Sequence, residues 1–336
     1  MGLVGRGGSG GGFGRTSATA GSGAVGKRGL RAAGAWGIGA LESRWSPTAC
    51  PFFLARPGDP PASLACGGAH TLFLTQSGRV FATGLNDFGQ LGTGSSMTHT
   101  LSTVWIFLFE YTPRLIKNLD GIKIKRIAAG MLHSACIDEK GTVFIFGQKT
   151  EKVFGRSNDV PRPSVVEEIQ FLEEVSCGGY HTCVVTDHGD LYSWGSNENG
   201  CLGLGYFHLL LLPDTSTNIL IFSSSSEVTQ LLPRVTGMVL SPEVLRSSLF
   251  KLPVCKVSCG WKHTAVISGE DIYTWGWGGA NGTFFEEGHS SGGQLGHGND
   301  VDYFEPMMVE FGKNARAVHV SCGFNHTGAI LEYKEN

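Results

Sequence analysis

Five histidines occupy one slot of a recurring six-residue phrase, and histidine at fixed spacing beside cysteine is raw material for metal ligation or general-base chemistry. The phrases are Cys66-Gly67-Gly68-Ala69-His70-Thr71, Ala129-Gly130-Met131-Leu132-His133-Ser134, Cys177-Gly178-Gly179-Tyr180-His181-Thr182, Cys259-Gly260-Trp261-Lys262-His263-Thr264 and Cys322-Gly323-Phe324-Asn325-His326-Thr327. The recurrence argues against both chemistries. Equivalent positions in successive units lie around a ring and do not converge on one point. A buried histidine hydrogen-bonded to neighbouring backbone is the expectation, since an unpaired partner costs about 1–3 kcal/mol. Gly67, His70, Gly130, His133, Gly178, His181, Gly260, His263, Gly323 and His326 are therefore expected to be structural.

The cysteines follow the same logic. Of nine, four (Cys66, Cys177, Cys259, Cys322) precede the phrase glycine, and the second phrase fills that slot with Ala129, which can neither pair nor ligate. Small size and ready burial suit a packing role. No Cys-x-x-Cys occurs, and Cys255 and Cys259 lack the second pair that a zinc site requires. No metal and no cofactor are expected, and an odd cysteine total points to a reducing compartment. The chain contains no His-Glu-x-x-His, and an enzyme is not expected.

The elements that position these phrases are short strands. In the third unit, Val175 to Thr186 and Leu191 to Gly195 are β-rich segments around the turn Asp187-His188-Gly189-Asp190, which is a hairpin signal. Closely spaced glycines follow in Asn197-Glu198-Asn199-Gly200-Cys201-Leu202-Gly203-Leu204-Gly205, and Pro233 with Val235 is expected to supply an edge-compatible strand. The first unit has the same grammar in Val80 to Gly84, Asn86 to Gly94 and Pro113, and the fourth in Ile272 to Gly276, Gly293 to Gly298 and Pro306. The second keeps its hairpin strand, Val143 to Gly147, then degrades to Phe154-Gly155 and Pro161. No helical periodicity appears inside a unit, which favours an all-β fold of radial four-stranded blades, a β-propeller.

Gly-x-x-His-Thr, then a strand ending in Trp-Gly, then Asn-x-x-Gly-Gln-Leu-Gly-x-Gly resembles the regulator-of-chromosome-condensation repeat. The resemblance covers residues 64–331, and the chain looks most like plant organelle-targeted members. It implies a propeller, usually of seven blades. Four units and a fifth that stops at Ile330-Leu331 make an incomplete or open ring the expectation. The founding activity of that family is nucleotide exchange on a small GTPase, through loops for which no match is found here. Ultraviolet-B perception in another branch uses tryptophans in Gly-Trp-Arg-His-Thr phrases. Only Gly260-Trp261-Lys262-His263-Thr264 is similar, and Ala69, Met131, Tyr180 and Phe324 are taken as the residues at the tryptophan position elsewhere.

Two stretches depart from the grammar. The apolar runs at 101–111 and 206–222 sit where polar connectors belong, are too short or interrupted to span a membrane, and are expected to be insertions such as translated intron. Residues 1–47 form a glycine-, alanine- and arginine-rich leader, which reads as an organellar transit peptide, mitochondrial in preference to plastid, nuclear or cytoplasmic. Residues 1–50 carry six basic side chains against the single acid Glu42, within a net charge of −3 for the whole chain. The phosphate-loop look-alike Gly21-Ser22-Gly23-Ala24-Val25-Gly26-Lys27 lacks the preceding strand and the following Ser or Thr. A mildly acidic body gives no broad footprint for nucleic acid, so RNA or DNA is expected only indirectly.

What remains is a non-enzymatic interaction scaffold linked to organellar gene expression, with guanine-nucleotide exchange as the alternative and ultraviolet-B perception behind it. Trp261, Trp277, Phe284 and Phe285 are the candidate partner-binding residues, the last two in the longest glycine-bounded loop that keeps the repeat grammar. A protein partner is expected, a small GTPase is possible, and no membrane is implied.

Overall fold

The computed structural model describes residue 39 and residues 48–94, 109–148, 160–205, 237–245, 250, 252–279, 292–312 and 314–333. Each phrase lies in the tight connection between two antiparallel strands, and each complete unit is one four-stranded sheet. The first unit comprises β1 (Pro61–Cys66), β2 (His70–Thr75), β3 (Val80–Leu85) and β4 (Phe109–Leu115). The second comprises β5 (Ile124–Ala129), β6 (His133–Asp138), β7 (Val143–Gly147) and β8 (Val160–Val165). The third comprises β9 (Leu172–Cys177), β10 (His181–Thr186), β11 (Leu191–Ser196) and β12 (Met238–Val244). The fourth comprises β13 (Val254–Cys259), β14 (His263–Ser268), β15 (Asp271–Gly276) and β16 (Tyr303–Met308), and the fifth only β17 (Ala315–Cys322) and β18 (Thr327–Tyr333). Four four-stranded sheets and one two-stranded sheet among the described residues match the expected open or incomplete propeller.

The first strands of successive units pack on one another, so β1, β5, β9, β13 and β17 lie innermost. Alternation along the second strands divides their side chains between neighbours. Leu72 and Leu74 join Cys136 and Phe146 in one apolar cluster between the first and second sheets. Ala135 and Ile137 join Val175 and Val184 between the second and third, Cys183 and Val185 join Val266 and Tyr273 between the third and fourth, and Ala265 and Ile267 join Val320 and Cys322 beyond. The core is thus a series of boundaries, each made from two sheets that could not bury it alone. A short helix, α1 (Pro51–Leu54), closes the other face of the first sheet by packing Phe53 against Phe73 and Phe81.

Three boundaries of the sequence reading need correction or restriction. Phe109 to Tyr111, assigned to an apolar insertion, opens β4, where Glu110 pairs with Gly84 across the sheet. Ladder pairing overrides apolar composition there. The fourth strand of the third sheet is β12, with Val244 opposite Tyr192, and not the Pro233 and Val235 element. Proline followed two residues later by valine occurs at both places, and pairing to β11 selects Pro242-Glu243-Val244. Residues 101–108, 206–222, 233, 235, 154, 155, Phe284 and Phe285 lie outside the described residues, as does the leader except Gly39, whose N–H donates to the Tyr111 carbonyl.

Candidate functional site

Four of the five phrase histidines, His70, His133, His181 and His263, point forward, each to the unit after its own. His70 Nε2 lies 2.8 Å from Ser134 Oγ, His133 Nε2 3.0 Å from Thr182 Oγ1, His181 Nε2 3.0 Å from Thr264 Oγ1 and His263 Nε2 3.1 Å from Thr327 Oγ1. The partner is therefore the hydroxyl of the next phrase and not the neighbouring backbone that the sequence reading expected. The signal was present, because Ser or Thr follows the histidine in every phrase. Burial pushes His70 and His263 down to about 3 and His133 to about 4, so these rings stay neutral and each offers one N–H donor. Among the described residues the ladder is open at both ends. Thr71 Oγ1 is buried without a hydrogen-bond partner, and His326 is exposed.

Backbone contacts run beside the ladder. Gly68 N–H donates to the Gly130 carbonyl, Met131 N–H to that of Gly178, and Gly179 N–H to that of Gly260, at 3.0–3.2 Å. This close approach explains the phrase glycine. A Cβ on Gly178 would overlap the His181 ring and come within 2.6 Å of the Gly260 carbonyl oxygen, so space, and not backbone torsion, excludes a side chain. Cysteine packing is also as expected. Cys66, Cys177, Cys259 and Cys322 are buried, and burial raises the thiols of Cys322, to about 12, and of Cys177.

Because each phrase joins its first and second strands, the phrase loops gather at one end of the innermost strands. Aligned on the histidine, Trp261 corresponds to Gly68, Met131, Gly179 and Phe324, so Ala69 and Tyr180 belong to the following slot and not to the tryptophan position. The structure stacks Trp261 on Phe324, with ring centroids 4.5 Å apart and planes at 14°. The indole also lies against Gly179, where a Cβ would overlap it. Trp277 meets Trp261 edge-on at 6.2 Å.

Charge borders these rings. Lys262 Nζ lies 4.8 Å above the Trp261 ring and pairs with Glu198 at 2.7 Å. Half-buried Tyr180 has its phenol raised by burial and, secondarily, by the Glu198 charge. Trp261, Phe324 and Tyr180 are partly exposed, whereas Trp277 is only 6% exposed and hydrogen-bonded through its carbonyl to Gln294 Nε2. Trp277 is thus a wall behind Trp261 and not a contact surface of its own. Phe324, Tyr180, Lys262 and Glu198 were not singled out as site residues, because only the stacking of consecutive units brings them together.

Comparison with known proteins agrees with this architecture. A family model described as the RCC1-like domain matches residues 11–329, beginning inside the segment assigned to the leader. The Ultraviolet-B receptor UVR8 of Arabidopsis thaliana is 32% identical over 329 residues, covering 89% of this chain and 68% of that receptor. The probable E3 ubiquitin-protein ligase HERC6 of Homo sapiens is 27% identical over 273 residues, 80% of this chain but 22% of the ligase. Among solved structures, human WBSCR16 superposes with a TM-score of 0.60 at 22% identity, covering 82% of this chain and 59% of that one. Prp20p of Saccharomyces cerevisiae gives 0.60 at 19% identity, with 88% and 60% covered. The chain spans about three fifths of these two solved chains.

Proposed function

This chain belongs to the RCC1-like domain family, and on that footing we propose that it is a non-enzymatic protein-interaction module whose contact surface is the phrase-loop face around Trp261. The observation that carries this reading is the partly exposed stack of Trp261 and Phe324, bordered by Tyr180 and the Lys262–Glu198 ion pair. Aromatic rings held rigidly beside balanced charge are the usual anchors of a protein interface. The proposed address is mitochondrial and the proposed setting organellar gene expression, both resting on the leader composition and the family resemblance.

Affinity purification with the full chain and a Trp261→Ala/Phe324→Ala variant tests the surface. Partners that bind through it are lost from the variant, and a partner set identical for both proteins would sink the assignment. A fusion of residues 1–47 to a reporter tests the address, and a cytosolic reporter removes it.

Nucleotide exchange on a small GTPase is the second reading. It draws on the shared fold of Prp20p, which binds Gsp1p and histones. Nucleotide release from candidate GTPases, accelerated well above the intrinsic rate, would favour it over a scaffold. Ultraviolet-B perception is not carried over from the receptor, since the slots that would hold successive tryptophans here are Gly68, Met131, Gly179, Trp261 and Phe324. Nor is ligase chemistry, as the alignment reaches less than a quarter of the ligase.

A further inference from the structure

The boundary between the third and fourth sheets brings together three groups that no sequence motif connects. A ring nitrogen of His181, Cys183 Sγ and Cys259 Sγ lie within 4.8 Å of one another, and all three residues are buried. Hydrogen bonding decides which imidazole nitrogen faces the thiols with a lone pair. Thr264 donates its hydroxyl proton to the Cys201 carbonyl at 2.8 Å, so the Thr264 oxygen accepts from His181 Nε2 at 3.0 Å. Nε2 is thus the nitrogen that donates, which leaves Nδ1, buried and without a hydrogen-bond partner, to present a lone pair. A metal-ligating imidazole is oriented in the same way, by a bond from its other nitrogen.

We propose that His181, Cys183 and Cys259 form a buried site for a thiophilic d10 cation, zinc being the ion whose charge two thiolates balance. Binding forms one nitrogen–metal and two sulfur–metal bonds and releases both thiol protons to solvent. The bound ion with its two thiolates and neutral imidazole has no net charge, which is the condition for burial. The ion ties β10 to β13 and so clamps one sheet boundary. Its capture accompanies folding, because the three ligands are enclosed.

The repeat itself explains why this boundary differs. His70 and His263 also have a buried, unpartnered Nδ1. At the position of Cys183, however, their units carry Leu72 and Ala265, and the following phrases begin with Ala129 and Cys322, so the His70 boundary lacks both thiols and the His263 boundary lacks one. Among the described residues, no other group of three such ligands comes together.

Cys183→Ala installs the residue that the second and fourth units carry, Ala135 and Ala265, and Cys259→Ala the residue that the second carries, Ala129. Elemental analysis of the full chain produced with zinc in the medium is expected to find about one zinc per chain after dialysis. Refolding with Co2+ is expected to give intense thiolate-to-cobalt absorption in the near ultraviolet. Either alanine variant should lose metal about tenfold or more, while Cys136→Ala, a buried thiol at another boundary, should keep it. A chain that purifies without metal and refolds without cobalt absorption overturns the site, as does full metal retention by Cys183→Ala. Circular dichroism reports whether the variants fold, and if one does not, the cobalt spectrum of the unmodified chain decides.

Discussion

His181 Nε2 and Thr264 Oγ1 meet at 3.0 Å across the boundary between two sheets whose phrases stand 82 residues apart, from Cys177 to Cys259. Thr264 passes the chain of donors on to the Cys201 carbonyl, which also accepts from Trp275 Nε1 at 3.0 Å. One residue from each phrase therefore joins three segments. Thr264→Val keeps the shape and removes the hydroxyl, leaving His181 Nε2–H buried without an acceptor. The expected cost is about 1–3 kcal/mol, measured by urea unfolding, with Thr264→Ser close to the unmodified chain. Equal stability for valine and serine would show that the hydroxyl contributes nothing.

Gly178→Ala is expected to destabilise by about 2 kcal/mol or more, because the new methyl meets the His181 ring and the Gly260 carbonyl at once. Gly58→Ala serves as the contrast, since nothing lies within 4 Å of a Cβ there. Thermal melts of the two variants should separate clearly. A loss at Gly58 as large as that at Gly178 would contradict the steric account.

Acid should weaken the fold through the buried histidines. Burial holds the folded His70 and His263 near 3 and His133 near 4, below the ordinary imidazole value of about 6.5. As pH falls below about 6.5 the unfolded chain takes up these protons first, so stability is full above that value and declines toward about pH 4. Each histidine contributes a slope of up to about 1.4 kcal/mol per pH unit. Urea midpoints that stay constant from about pH 7.5 to 5 would place these rings in water.

Phe53→Ala should expose the outer face of the first sheet. Phe53 packs against both Phe73 and Phe81, with ring centroids at 5.0 and 5.8 Å. Its removal is expected to cost about 3 kcal/mol and to raise binding of a hydrophobic dye. An unchanged melt would mean that α1 does not cap the sheet.

Much of this was legible from residue types and order. In the first four units the grammar marks the hairpin after the phrase, because it combines β-rich runs with glycines that tolerate no substitute, although Val175 to Thr186, read as one segment, is split at the phrase into β9 and β10. Gly195, for example, has φ +107° and its Cβ would meet the Tyr180 carbonyl. The buried histidine slot was legible for the same reason, since repetition at one register implies one environment. The fourth strand of the third sheet was not, because Pro233 and Pro242 offer the same local pattern and only hydrogen bonding to β11 chooses between them.

The sequence by itself determined the repeat, the sheet as its unit, and the fixed slots of glycine, histidine and hydroxyl, because recurrence at one register is readable without knowing what each slot touches. Tertiary stacking decided everything that joins one unit to the next. It turned the histidines toward the following hydroxyl, laid Trp261 on Phe324, and set Cys183 beside Cys259 and His181. Those partners lie tens of residues away, and the spacing within a phrase carries no information about which neighbouring side chain will occupy the space across the boundary.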